Sequence, residues 1–158
     1  MFRELTRKNK QLSNEQCIEL LKNETRGVLS VIGDNDYPYG MPMNHFYNDG
    51  DGKIYFHCGK SGHRLDSLKK HNKVSFCTYN NGYRQDGDWA LRVNSVIVFG
   101  KMEIVDDINQ IIDITSKLSR KFTNDEKYIK EEIECHASKT LLLVLTPEHI
   151  CGKNVVES

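Results

Sequence analysis

At 158 residues the chain has room for one domain with a real core and not for two ordinary ones. Its 22 basic and 22 acidic side chains cancel, which argues against bulk electrostatic attraction to nucleic acid or to a membrane surface. Five widely spaced cysteines (Cys17, Cys58, Cys77, Cys135, Cys151) with no C-x-x-C pair argue against a disulfide framework or a zinc knuckle. No apolar run reaches bilayer-spanning length, and no apolar stretch follows the basic segment Met1 to Lys10. With reduced thiols, these features predict a cytoplasmic protein.

Ser13 opens the first predicted helix. Gln16 completes a capping box, and Cys17, Ile18, Leu20 and Leu21 form an apolar face. Arg26 to Ile32 reads as a strand, and Gly33-Asp-Asn-Asp as turn chemistry. A second strand runs from about Tyr37 to Tyr47. Asn48-Asp-Gly-Asp-Gly then signals a hairpin into a third strand, Lys53 to Cys58. A glycine-bearing loop, Gly59 to Gly62, enters a helix with Leu65 and Leu68 on one face. Lys73 to Tyr79 is a fourth strand, Asn80 to Asp88 a polar loop, and Ala90 to Val105 a long strand in which Gly100 marks a bend or bulge. Asp107 caps a helix reaching about Phe122, with Ile108, Ile111, Ile112, Thr115 and Leu118 on its buried side. A shorter helix spans about Asn124 to Cys135. Thr140 to Leu145 is a strongly apolar final strand, stopped by Pro147, with Ile150 to Gly152 as an extension. Six strands joined mainly by hairpin-length loops, with three or four inserted helices, predict a mainly β, closed or partly closed antiparallel barrel forming one domain over residues 1–158.

The chemistry concentrates at the third strand and the helix after it. Lys60, His63 and Arg64 cluster at the helix start, where the macrodipole ordinarily favours acids. A helix that opens with bases is poised to hold an external anion, with free backbone N–H groups, the Ser61 hydroxyl and the small Gly62 completing a phosphate cradle. The plainer alternative is a set of solvated bases. Neither a Walker loop nor a dinucleotide fingerprint is present. Residues 59–73 carry five lysines and arginines against Asp66 alone, a local patch suited to a small anion more than to a polymer. His57, Cys58 and His63 lack a fourth ligand at metal-binding spacing, so no metal is expected. No Ser-His-Asp order, paired carboxylates or catalytic cysteine context stands out, and the catalytic residues stay unassigned.

Six pieces share an order and spacing across roughly residues 13–153: Gly27-Val-Leu-Ser-Val; Asp36-Tyr-Pro-Tyr-Gly-Met-Pro-Met-Asn; Tyr55-Phe-His-Cys-Gly-Lys-Ser-Gly-His-Arg-Leu-Asp; Lys73-Val-Ser-Phe; Asn94-Ser-Val-Ile-Val-Phe-Gly-Lys-Met-Glu; and Ile150-Cys-Gly-Lys. In these the chain resembles the pyridoxamine 5′-phosphate oxidase-like FMN-binding split-barrel family, with the nitroimidazole-resistance type as the nearest branch. The resemblance implies a six-stranded antiparallel split β-barrel and a homodimer with FMN between protomers. It places Lys60, Ser61, His63 and Arg64 at the FMN phosphate, Pro42, Met43 and Asn44 along the isoalloxazine, and Ser95, with Asn94 beside it, on a strand facing the cofactor. His57 falls near the phosphate or ribityl chain, or is a partly buried strand histidine. His45 approaches the reactive side of the ring or lies on the outward strand face. Trp89 covers the flavin or packs across the dimer, and Lys153 reaches the partner's cofactor or belongs to a basic tail.

The implied function is an FMN-dependent oxidoreductase passing electrons to a small molecule, with a nitro-aromatic acceptor by analogy with the nearest branch. Two alternatives stay open. One is a non-catalytic flavin-binding module. The other is a haem-binding split barrel with His45, His57 or His149 as axial ligand. Basic residues near the C-terminus that would hold a second phosphorylated substrate are not evident, which disfavours pyridoxamine phosphate oxidation itself.

Overall fold

The computed structural model describes residues 1–157. Its strands are β1 (Arg26–Ile32), β2 (Pro38–Asn44), β3 (Phe46–Asn48), β4 (Lys53–Gly59), β5 (Lys73–Tyr79), β6 (Leu91–Val105) and β7 (Thr140–Glu157). Its α-helices are α1 (Asn14–Asn23), α2 (His63–Lys70), α3 (Ile108–Ser119) and α4 (Glu126–His136). The strands form one sheet in the order β2-β1-β5-β6-β7-β4-β3, antiparallel throughout.

β2 and β3 lie at opposite edges of that sheet, yet His45 alone separates them in sequence. Edges one residue apart along the chain require the sheet to curl until they meet, so it is a barrel split at this corner. The strand expected from Tyr37 to Tyr47 is therefore two strands, and six become seven. His45 makes the corner. Its N–H donates to Thr25 O (3.3 Å), and its ring is fully buried, with Nε2 2.7 Å from Leu21 O and the plane tilted against Phe76. Its ring does not lie on the outward strand face but is engaged in the core. Lys121 clamps the same corner, its Nζ donating to Glu24 O (2.6 Å) and His45 O (2.8 Å).

The barrel interior is filled by alternate residues of the strands, among them Leu29, Phe56, Phe76, Val98 and Leu143, each fully buried. α1 closes one side, held at its start by the predicted capping box. Ser13 N–H donates to Gln16 Oε1 (2.9 Å), and Gln16 N–H to Ser13 Oγ (3.2 Å). A second cluster joins Ile111 and Ile114 of α3 to Tyr55, Leu142 and Val144 on the outer side of β4 and β7. β7 is thus covered on both faces, which is why Leu141 to Leu145 are apolar without alternation. The buried stripe of α3 is Ile111, Ile114 and Leu118. Ile108 and Ile112 are exposed, because the helix meets the sheet by a narrower face than predicted.

Pro147 does not end the final strand. β7 runs through it to Glu157 because the register shifts between Phe99 and Gly100, so that Gly100 faces Pro147 and Phe99 faces His149. This bulge absorbs the missing N–H. Gly100 is required there: a Cβ would sit 2.1 Å from Thr146 O and 2.8 Å from Leu145 Cδ1. Gly100→Ala is expected to cost about 2–3 kcal/mol through forced backbone shifts, read as a lowered urea midpoint with unchanged slope.

Candidate functional site

The β3–β4 ladder ends at Phe46 and Tyr55, and beyond His45 the chain leaves β4 to pair with β1. The split opens a groove between β2 and β4. It encloses about 390 Å³ and is lined by Arg26, Pro42, Met43, Asn44, His57 and Arg64. Five of these were expected from the sequence. Arg26, paired across the ladder with Asn44, was not, since an exposed arginine at the start of a strand carries no motif. Met43 turns its side chain into the core and lends the groove its backbone. Pro42 is outward, and Asn44 Oδ1 accepts from Arg26 Nε (3.2 Å).

Among the described residues, the groove wall holds two guanidinium groups and no carboxylate. Arg64 is half-buried, its Nε laid against Met41 Sδ at 2.8 Å, and a thioether is a weak acceptor that leaves its charge uncompensated. His57 projects from β4 with its outer edge exposed. The groove wall and the Arg64 guanidinium together hold its pKa below the ordinary value, so the imidazole is neutral at pH 7.

The loop before Arg64 is shaped for close approach. α1, α3 and α4 each begin with a side chain that caps the backbone (Ser13, Asp107, Asp125). α2 begins at Gly62, with φ +126° and no side-chain cap, leaving its first N–H groups free. A Cβ at Gly59 or Gly62 would meet nothing within 4 Å, so the loop surface is open.

The other expected cradle residues are dispersed. Lys60 lies 3.4 Å from Asp106 and is half-exposed. Ser61 is exposed. His63 turns away from the groove, where its Nε2 accepts from Asp34 N–H (3.2 Å) and its ring stacks on Tyr39 at 4.5 Å. Asn94 and Ser95 sit two strands beyond β1 and do not enter this groove within one chain. Asn94 Oδ1 accepts from Asn154 Nδ2 (2.6 Å), while Ser95 lies opposite Lys153 on the outer sheet face. Trp89 is exposed. His149 stacks on Phe2 at 5.0 Å.

The fold and the groove together define the class: a curled split barrel with an arginine-lined groove at its opening. The chain belongs to the pyridoxamine 5′-phosphate oxidase family, whose model matches residues 13–154. A search of curated proteins found no significant match. Among solved structures, a candidate 5-nitroimidazole antibiotic resistance protein from Bacteroides thetaiotaomicron superposes with a TM-score of 0.73 at 19% identity, over 91% of this chain and 86% of that one. A conserved hypothetical protein, Rv2991, from Mycobacterium tuberculosis gives 0.79 at 16% identity, over 95% and 90%. An FAD- and heme-binding protein from Mycobacterium smegmatis gives 0.71 at 18% identity, over 94% and 74%. At these identities the likeness is one of fold. No helix among the described residues is long and apolar enough to cross a membrane.

Proposed function

We propose that the protein binds FMN in the groove between β2 and β4 and serves as an oxidoreductase that passes electrons through it to a small molecule. The observation that carries this reading is Arg64, a half-buried guanidinium without a carboxylate, beside an uncapped helix start and an open glycine loop. A phosphate dianion answers both the charge and the free N–H groups. Arg64 would grip it bidentately, and Lys60 would add a more distant, exposed charge. The backbone from Pro42 to Asn44 would run along the ring edge, and the neutral His57 imidazole can donate or accept a hydrogen bond there. The bound flavin would supply the redox chemistry, which is why no conventional acid–base pair is needed.

A second copy of the chain would complete the site. Val28, Cys77, Ile97 and Cys151 form one row across four strands of the outer face, with Val28 and Ile97 about 40% exposed. Such an apolar sheet face calls for a cover, and a partner on it would carry its own Ser95 and Lys153 toward this groove.

Titrating the purified protein with FMN, followed by quenching of flavin fluorescence, is expected to give a dissociation constant of about 10 µM or tighter. One flavin per chain and two chains per particle by sedimentation are expected. Absence of quenching, or a Soret band in place of flavin absorbance, would overturn the reading.

A further inference from the structure

A second cavity, of about 360 Å³, lies beside the cofactor groove. Asn44 and His57 belong to the walls of both. Its far walls come from the lobe inserted between β6 and β7. α3 contributes Leu118, the turn after it Phe122, and α4 Ile129 and Ile133. Arg120 holds the two helices together, its Nε and Nη2 donating to the two carboxylate oxygens of Glu126 at 2.7 and 3.0 Å. The volume falls in the range of small-molecule sites, about 300–1,000 Å³.

The polar groups are distributed in a way that selects charge. Glu132 and His136 stand at the α4 end, with Oε2 and Nε2 3.6 Å apart, and Tyr128 is exposed beside them. Among the described residues, no lysine or arginine lines the cavity, whereas the adjoining groove has two arginines and no carboxylate. His57, between the two, is held neutral and repels neither sign. An anion entering the α3–α4 cavity would lose water and meet Glu132. A cation or a strong N–H donor would gain a carboxylate acceptor. The aliphatic and aromatic walls suit a flat ring.

We infer that the cavity between His57 and Glu132 is the seat of a planar aromatic substrate bearing an amine or other cationic pole, and not of a phosphorylated one. The identification of this ligand as the electron partner rests on the flavin reading; the binding preference does not. The ring lies against the wall shared with the cofactor groove, and the pole points to Glu132.

The test compares three probes by calorimetry on the protein saturated with FMN: 4-aminoquinoline, which is cationic at neutral pH, quinoline-4-carboxylate, and phenyl phosphate, a phosphorylated ring without an amine. The amine is expected to bind about three- to fivefold more tightly than either anion, the preference that a half-exposed carboxylate already facing His136 can supply. Glu132→Gln should remove most of that preference, and Glu132→Lys should reverse it. Both are exposed-site changes that leave the FMN dissociation constant unaltered. Equal binding of the amine and the carboxylate, tight binding of the phosphorylated probe, or a preference that survives Glu132→Lys would overturn the inference. If FMN itself does not bind while the amine still does in a Glu132-dependent manner, the cavity assignment stands and the flavin reading fails.

Discussion

Arg64→Ala is expected to weaken FMN binding by about two orders of magnitude, the largest effect of any single substitution in the groove. A bidentate pair of charge-assisted hydrogen bonds to phosphate is worth a few kcal/mol, and nothing else in the groove wall can replace it at the α2 start. Arg64→Lys keeps the charge and loses the fork, so an intermediate loss is expected. Lys60→Ala should cost much less. Its ammonium is half-exposed and already faces Asp106 at 3.4 Å, so solvent and a carboxylate both screen it. Fluorescence titrations with FMN and with riboflavin, which lacks the phosphate, separate the contributions. The Arg64→Ala loss should appear with FMN and largely vanish with riboflavin. An equal loss for both ligands would place Arg64 at the ring and remove the phosphate cradle.

The second large effect lies in acid stability. The neutral His45 ring donates from Nε2 to Leu21 O, and its Nδ1 is buried without a partner. Burial, with a smaller contribution from the Lys121 ammonium, pushes its pKa down to about 3. The unfolded chain takes up this proton near the ordinary value of about 6.5, well before the folded protein does. The stabilisation is therefore present in full above about pH 6.5 and is lost as the pH falls through about 3. The loss from this one group is on the order of 4 kcal/mol. His45→Gln keeps a donor for Leu21 O and cannot titrate. It should be less stable at neutral pH, through imperfect packing against Phe76, and should show a much shallower decline in acid. Urea unfolding of both proteins across this range measures the two slopes; parallel slopes would show that His45 does not carry the acid transition. Lys121 acts at the other end of the scale. Burial lowers its pKa to about 8, so the desolvation cost of its charge is relieved as the pH rises from about 8 toward its unfolded value.

Most secondary elements could be read from residue patterns because their signals are local. The Ser13/Gln16 capping box, the Asn48 to Gly52 turn and the unalternating Leu141 to Leu145 run each announce themselves within a few residues. Boundaries that depend on a facing element were less legible. Pro147 ends a strand by local rules and does so only if its neighbour cannot bulge; here Gly100 lets it. The face of α3 reads as broad from its isoleucines, but the sheet surface available to it admits only Ile111, Ile114 and Leu118.

The proposed cofactor site divides in the same way. The basic, glycine-containing run from Gly59 to Arg64 and the Pro42 to Asn44 strand were visible in the chain, since a phosphate-binding loop is a contiguous feature. Arg26 was not, nor was the turning of His63 away toward Asp34 or the lobe cavity ending at Glu132. What the amino-acid order alone determined is therefore the set of strands and helices, the barrel class and the basic loop, because periodicity, caps and turns act over short range. What the tertiary structure decided is which of the candidate side chains meet. That follows from a one-residue corner at buried His45, which curls the sheet until β2 and β4 flank a common opening, and no local signal encodes a closure between strands at opposite edges.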